Sequence, residues 1–150
     1  MRFLIVSILL SMSLSARAAS IGDFFGALTS RADVHERGGS MDETLERLSV
    51  DMNRRTPVMV DQETRLDKIT AEPGLQLKYH YTLLTVQGSD VSTSDFHKLL
   101  APRLKNQLCG SDVEKFLRQG VTVSYFYRSL DGRALGGAQF GPDSCPSKTG

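Results

Sequence analysis

The chain has 150 residues, of which 40% are hydrophobic, and its 18 basic and 17 acidic side chains nearly cancel. This length and composition predict one globular domain with a hydrophobic core. Because phosphate binding requires a basic surplus on some face, the charge balance argues against nucleic acid as a partner.

The first 18 residues have the parts of a secretory signal peptide. Met1-Arg2 is a basic start, residues 3–14 form an apolar run interrupted only by serines, and Ala16-Arg17-Ala18 places small residues two apart. The run is shorter than the roughly 20 residues that span a bilayer. We therefore expect cleavage and export to the periplasm, with an uncleaved anchor as the alternative. The mature chain would carry 16 basic and 17 acidic side chains.

Residues 19–39 predict a flexible or weakly helical arm. Apolar side chains recur there at helical spacing, at Ile21, Phe24, Phe25 and Leu28. Glycines at 22 and 26 weaken any helix, and Gly38-Gly39 is typical of a hinge. The arm either docks on a partner or membrane surface or folds back on the core.

The first secure helix is predicted to begin at Ser40, because Ser40 and Glu43 have the spacing of a capping box. An apolar stripe follows on one face, at Met41, Leu45, Leu48 and Met52. Thr56-Pro57 ends the helix. Its apolar stripe is expected to pack on a sheet.

A hairpin is predicted next. Residues 64–70 form a polar strand, Pro73-Gly74 fits a type II turn, and residues 75–86 form the central strand. In the central strand Leu77, Tyr79 and Tyr81 alternate with polar residues, which predicts one buried and one wetter face.

Two helices are predicted before the second hairpin. Ser92 caps the first of them, which Pro102 must kink or split. Ser111 and Glu114 have the spacing of another capping box, for a short helix that ends at Gly120.

The second hairpin pairs residues 121–128 with residues 133–140 around Asp131-Gly132, a strong turn signal. Gly136-Gly137 predicts a bulge or weak pairing in the last strand. Cys109 and Cys145 are the only cysteines of an exported chain, so we expect them to form a disulfide.

The fold class that follows is α+β. We expect a four- to five-stranded, mostly antiparallel sheet made of two hairpins, with helices covering one face and the other face open. Residues 40–145 form this single domain, and residues 146–150 form a tail.

Three runs of sequence resemble those of a group of small exported bacterial proteins without an assigned function. They are MVDxxTRLD at 59–67, PGxxLxYxYTL at 73–83 and GVTxxYxYxxxDG at 120–132. The resemblance covers roughly residues 57–145 and implies the same fold and export. It implies no catalytic residue.

The sequence contains no catalytic signature, phosphate loop or metal-ligand spacing, so we expect neither an enzyme nor a cofactor. None of the three histidines has a metal ligand or a nucleophile at a recognisable spacing in the sequence. They are His35, His80 and His97. We expect instead a protein-binding surface on the open sheet face, formed by Lys78, His80, Ser124, Phe126 and Arg128.

Three functions fit these expectations. The first is a periplasmic binding or inhibitor protein, most concretely an immunity protein that neutralises an antibacterial toxin. The alternative is an accessory or structural subunit of an envelope secretion system or pilus. The third is a small hydrolase in which His80 acts with Asp61 or Asp67. We expect a protein partner and no transmembrane segment in the mature chain.

Overall fold

The computed structural model of the protein describes residues 39–146. The predicted signal peptide, the predicted arm up to residue 38 and the last four residues of the tail lie outside the described residues, so these assignments stay predictions. The α+β fold class is confirmed.

Helix α1 spans Met41–Asn53 and begins at the predicted capping box. The Glu43 amide donates to the Ser40 hydroxyl oxygen at 3.3 Å, and the Ser40 amide donates to the Glu43 carboxylate at 3.1 Å. This reciprocal pair satisfies two amides that the first turn of a helix leaves without partners. Leu45 and Met52 are fully buried, which confirms the predicted core face of the helix.

Three strands follow α1: β1 (Val58–Met59), β2 (Thr64–Glu72) and β3 (Gln76–Leu83). Strand β2 pairs antiparallel with both β1 and β3, which confirms the first hairpin. The central strand is shorter at both ends than the predicted range 75–86, since Leu75 lies in the turn before it and the strand ends at Leu83. Gly74 and Leu75 both have positive φ, at 86° and 58°. Two consecutive left-handed residues end the extended strand conformation there.

Helix α2 spans Thr93–Leu108, and the Asp95 amide donates to the hydroxyl oxygen of its N-cap Ser92 at 3.1 Å. Of the two predicted outcomes, a kink or a split at Pro102, the split does not occur, because the helix continues through that residue. Pro102 is exposed. The carbonyl that loses its amide donor on that side of the helix can therefore be hydrated, which makes an interior proline tolerable.

Helix α3 spans Val113–Arg118, and its predicted capping box is wrong. The Ser111 hydroxyl donates to the Leu108 carbonyl at 2.7 Å, at the end of α2. Glu114 accepts the Gly110 amide at 2.5 Å through its carboxylate. Both side chains therefore form hydrogen bonds with backbone groups between the two helices. The carbonyls and amides at helix ends lack partners within the helix, so they compete for such side chains.

Strands β4 (Thr122–Ser129) and β5 (Ala134–Phe140) form the second predicted hairpin. Gly132 has φ +82° in the connecting turn. The predicted bulge is present, because Arg128 pairs with Ala134 and Tyr127 pairs with Gly136, which leaves one extra residue in β5.

The five strands form one sheet in the order β1-β2-β3-β4-β5. Strands β3 and β4 are parallel, because α2 and α3 carry the chain back across the sheet between them, and the other three pairs are antiparallel. The predicted mostly antiparallel sheet is therefore confirmed, with the two hairpins joined by a parallel central pair.

The predicted disulfide between Cys109 and Cys145 is present, with a Cα–Cα distance of 5.5 Å. Cys109 directly follows α2, and Cys145 follows a short 3₁₀ helix at Pro142–Ser144. The bridge therefore joins the end of the crossover to the end of the second hairpin.

The core lies between the helices and one face of the sheet. Helix α1 packs on β2, and α2 packs on β5. Four buried tyrosines line the two central strands: Tyr79, Tyr81, Tyr125 and Tyr127. Burial raises the pKa of each phenol, so all four stay neutral. The opposite face of the sheet is not covered by α1, α2 or α3.

Candidate interaction site

Side chains that alternate with the buried tyrosines point to the side of the sheet away from the helices. The parallel register of β3 and β4 and the antiparallel register of β2 and β3 place them next to one another. We call this surface the open face. It consists of Arg65, Asp67, Lys68, Thr70 and Glu72 of β2, Lys78, His80 and Thr82 of β3, and Ser124, Phe126 and Arg128 of β4.

All five residues predicted to bind a partner lie on the open face. In the register of β3 and β4, Lys78 is opposite Ser124 and His80 is opposite Phe126, with Arg128 two residues further along β4. Ser124 is only 4% exposed, so it offers little surface to a partner. Phe126 is 43% exposed, as its parity in the strand predicts.

An aromatic pair forms the centre of the open face. The rings of His80 and Phe126 are stacked, with centroids 5.6 Å apart and an angle of 18° between the planes. The Lys78 ammonium lies 6.0 Å from the centroid of the Phe126 ring. The ring of Phe126 is thus held by its neighbours on β3 and still presents an apolar surface to solvent.

The two carboxylates of the open face are engaged by its own residues. Asp67 accepts hydrogen bonds from the Arg65 guanidinium and from the Thr82 hydroxyl, each at 2.6 Å. Glu72 forms an ion pair with Lys78. These contacts fix the side chains of β2 against β3 and neutralise two of the four cations on the face.

Lys68 and Arg128 are the remaining cations, and both are exposed. Neither has an ion pair with a carboxylate within residues 39–146. Lys68 lies next to His80 on β2, and Arg128 lies two residues from Phe126 along β4, opposite Thr82. The described open face therefore has more positive than negative charges, and its excess cations lie around an apolar centre.

The surroundings of His80 favour the neutral form of its ring. Partial burial lowers its pKa first, and the charges of Lys68, Arg128 and Lys78 lower it further. Its Nε2 atom lies 3.2 Å from the Thr70 hydroxyl oxygen, a hydrogen bond that a neutral imidazole can make as donor or acceptor.

Sequence reasoning missed the contribution of β2 to this surface. The register of β2 against β3 shifts between Leu66 and Lys68, where a bulge interrupts the alternation of side chains. The signal was present in the sequence, because the two buried residues Leu66 and Ile69 are three apart and not two. Such spacing in a strand indicates an extra residue.

The hydrolase hypothesis requires a carboxylate that orients His80 as a base, and in the described part of the chain neither Asp61 nor Asp67 is hydrogen-bonded to it. Asp67 is hydrogen-bonded to Thr82, and Asp61 accepts two backbone amides of the turn before β2. Within residues 39–146, His80 makes its side-chain hydrogen bond to Thr70 and none to either aspartate.

Two other kinds of site are absent from the described part of the chain. Residues 39–146 contain no group of three or more His, Cys, Asp or Glu side chains placed to hold a metal ion. Over the same range, every helix is too short or too polar to cross a membrane.

Comparison with known proteins identifies the fold. No protein-family model matches the chain, and no curated protein matches it. Among solved structures, a Pseudomonas aeruginosa protein classed as secreted is 17% identical, with a TM-score of 0.58 over 71% of this chain and 98% of that chain.

Two pilotins of type II secretion systems have similar structures. EpsS of Vibrio vulnificus is 12% identical, with a TM-score of 0.59 over 72% of this chain and 94% of that chain. AspS of Vibrio cholerae is 13% identical, with a TM-score of 0.54 over 70% of this chain and 92% of that chain.

Identities this low show the fold alone. They confirm the resemblance to small exported bacterial proteins that the three sequence runs indicate. They give the immunity-protein interpretation no support. The chain thus has a fold similar to that of secretion-system pilotins.

Proposed function

We propose that this chain is an exported accessory subunit of an envelope secretion system and that it acts by binding a protein through the open face. The predicted signal peptide supports export. The fold likeness to two type II secretion pilotins supports the secretion system over an immunity function.

The observation that carries the binding role is the exposure of Phe126. A phenylalanine that is 43% exposed leaves apolar surface in water, while Val123, Tyr125 and Tyr127 fill the buried positions on the other face of β4. The ring is stacked on His80 and lies near Lys78, so it is held in place. Aromatic and arginine side chains are both enriched in the cores of protein interfaces.

The secretion role is tested by deleting the gene in the bacterium that carries it. We expect the deletion to reduce secretion of the proteins that the envelope system exports and the wild-type gene to restore it. Secretion that is unchanged by the deletion would contradict the proposal. Capture of an exported toxin, with the deletion strain sensitive to that toxin, would instead establish the immunity function.

The binding surface is tested by substitutions that leave the core intact. Phe126→Ala and Arg128→Glu should each weaken capture of secretion-system components by about thirtyfold, because a true anchor contributes about 2 kcal/mol. Leu99→Ala and Arg103→Glu are matched controls, since both residues are exposed on α2. Unchanged capture by both open-face variants, with melting temperatures equal to wild type, would exclude this surface.

A further inference from the structure

We propose that the open face takes an extended acidic segment of the partner protein, with an apolar side chain over Phe126 and carboxylates at Lys68 and Arg128. This inference rests on the proposed protein-binding function and adds the chemistry of the partner. The charges and the register of the sheet carry it.

The first argument is charge complementarity. The open face has four cations and two carboxylates, and its own cations already engage both carboxylates. Lys68 and Arg128 remain exposed and without an ion pair inside the described range. Carboxylates placed at these two positions gain favourable electrostatic energy, whereas a basic segment is repelled.

The second argument is the spacing of these groups. Lys68, His80 and Phe126 follow one another across neighbouring strands, so Lys68 and Phe126 are separated by two strand spacings, about 10 Å. Arg128 is two residues from Phe126 along β4, about 7 Å. A few residues of extended chain can therefore reach all three groups.

The third argument separates a protein partner from other anions. Lys68 and Arg128 lie on the two strands that flank β3, and Lys78 of β3 is paired with Glu72, so the two cations without an ion pair in the described range are not adjacent. A chain that alternates carboxylates with apolar side chains matches this order. A nucleic-acid backbone or an anionic lipid surface presents charge continuously and binds proteins through clustered basic residues.

The inference is tested by selection from a library of random linear peptides displayed on phage, with the full chain as the immobilised target. Selected peptides should be enriched in aspartate and glutamate and should contain at least one aromatic or aliphatic residue. Enrichment of basic residues, or no charge preference, would overturn the inference. Tighter binding to vesicles of phosphatidylglycerol or to single-stranded DNA than to any selected peptide would also overturn it.

Variants locate the selected peptides on the surface. Lys68→Glu and Arg128→Glu should each weaken peptide binding by about tenfold, and added salt should weaken wild-type binding. Phe126→Ala should weaken it without removing the salt dependence. Arg103→Glu and Lys105→Glu on α2 serve as charge-matched controls. Equal effects in the open-face and control variants would place the peptides elsewhere.

Complementation of the deletion strain separates this inference from the proposed function. A Lys68→Glu/Arg128→Glu double variant that folds but fails to restore secretion supports both. If the double variant restores secretion and Phe126→Ala does not, the acidic-segment inference fails and the accessory role stands. If the deletion has no secretion defect while acidic peptides still bind, the secretion role fails and the inference on the binding chemistry stands.

Discussion

His80 lies at the centre of the open face, where it packs against Phe126 and is close to several charged side chains. Its ring is stacked on Phe126 and hydrogen-bonded to Thr70, and the cations around it belong to three strands: Lys68 of β2, Lys78 of β3 and Arg128 of β4. Asp67 is the acid whose charge opposes them. Protonation of His80 would add another positive charge to a surface that already has a surplus.

This setting predicts a pH dependence of stability. In the folded protein the pKa of His80 is lower than the ordinary value near 6.5 that it has in the unfolded chain. As the pH falls through about 6.5, the unfolded chain takes up a proton before the folded protein does, so the free energy of unfolding decreases.

His80→Gln should therefore lose less stability than wild type between about pH 7.5 and pH 5.5. Urea unfolding at both pH values measures the difference, and the titration of the His80 ring in an NMR spectrum checks its cause. A His80 pKa at or above the ordinary value would contradict the prediction.

At the scale of elements, one side chain ties the end of α1 to β2. The Asn53 Nδ2 group donates to the Ile69 carbonyl at 2.7 Å, and the Ile69 amide donates to Asn53 Oδ1 at 2.8 Å. Strand β1 pairs only with Arg65 and Leu66, so among residues 39–146 no strand pairs with β2 on that side at Ile69. Asn53 therefore supplies the pairing that a longer edge strand would give.

Asn53→Ala should lower the free energy of unfolding by about 2 to 4 kcal/mol, because two backbone groups of Ile69 lose their partners. Asn106→Ala is the matched control, since Asn106 is exposed on α2. Urea unfolding followed by circular dichroism measures both. A loss in Asn53→Ala no larger than that in the control would show that water replaces the side-chain amide without cost.

For the whole molecule, the disulfide constrains the part of the chain that contains α3 and the second hairpin. The cysteines are 36 residues apart, and a loop of that size corresponds to about 4 kcal/mol in the chain-entropy model. Both cysteines lie at the ends of elements, away from the open face. The bridge should therefore affect stability and leave the binding surface unchanged.

A Cys109→Ser/Cys145→Ser variant should unfold at a lower urea concentration than wild type, because its free energy of unfolding is lower by up to about 4 kcal/mol. It should bind the selected peptides with unchanged affinity at temperatures where it is folded. Thiol labelling of the denatured, unreduced wild-type protein should find no free cysteine. Labelling of both cysteines, or equal stability of the two proteins, would refute the prediction.

The features that the sequence determined by itself depend on residues close together in the chain. The Ser40–Glu43 capping box, the turn at Asp131-Gly132 and the exposure of Phe126 each follow from spacings of a few residues. The Cys109–Cys145 bridge follows from there being no other cysteine to pair with. These signals predicted the fold class and the part of the open face that β3 and β4 contribute.

Only the tertiary structure decided the features that depend on partners far away in sequence. The bulge in β2 places Lys68 beside His80, and the crossover sets the parallel register that stacks His80 on Phe126. Ser111 has the spacing of a cap but donates to a carbonyl of the preceding helix. Asn53 has the pattern of a solvated helix residue but bonds to a strand. Local spacing does not reveal which unpaired backbone group will lie within reach, because packing of the whole chain determines it.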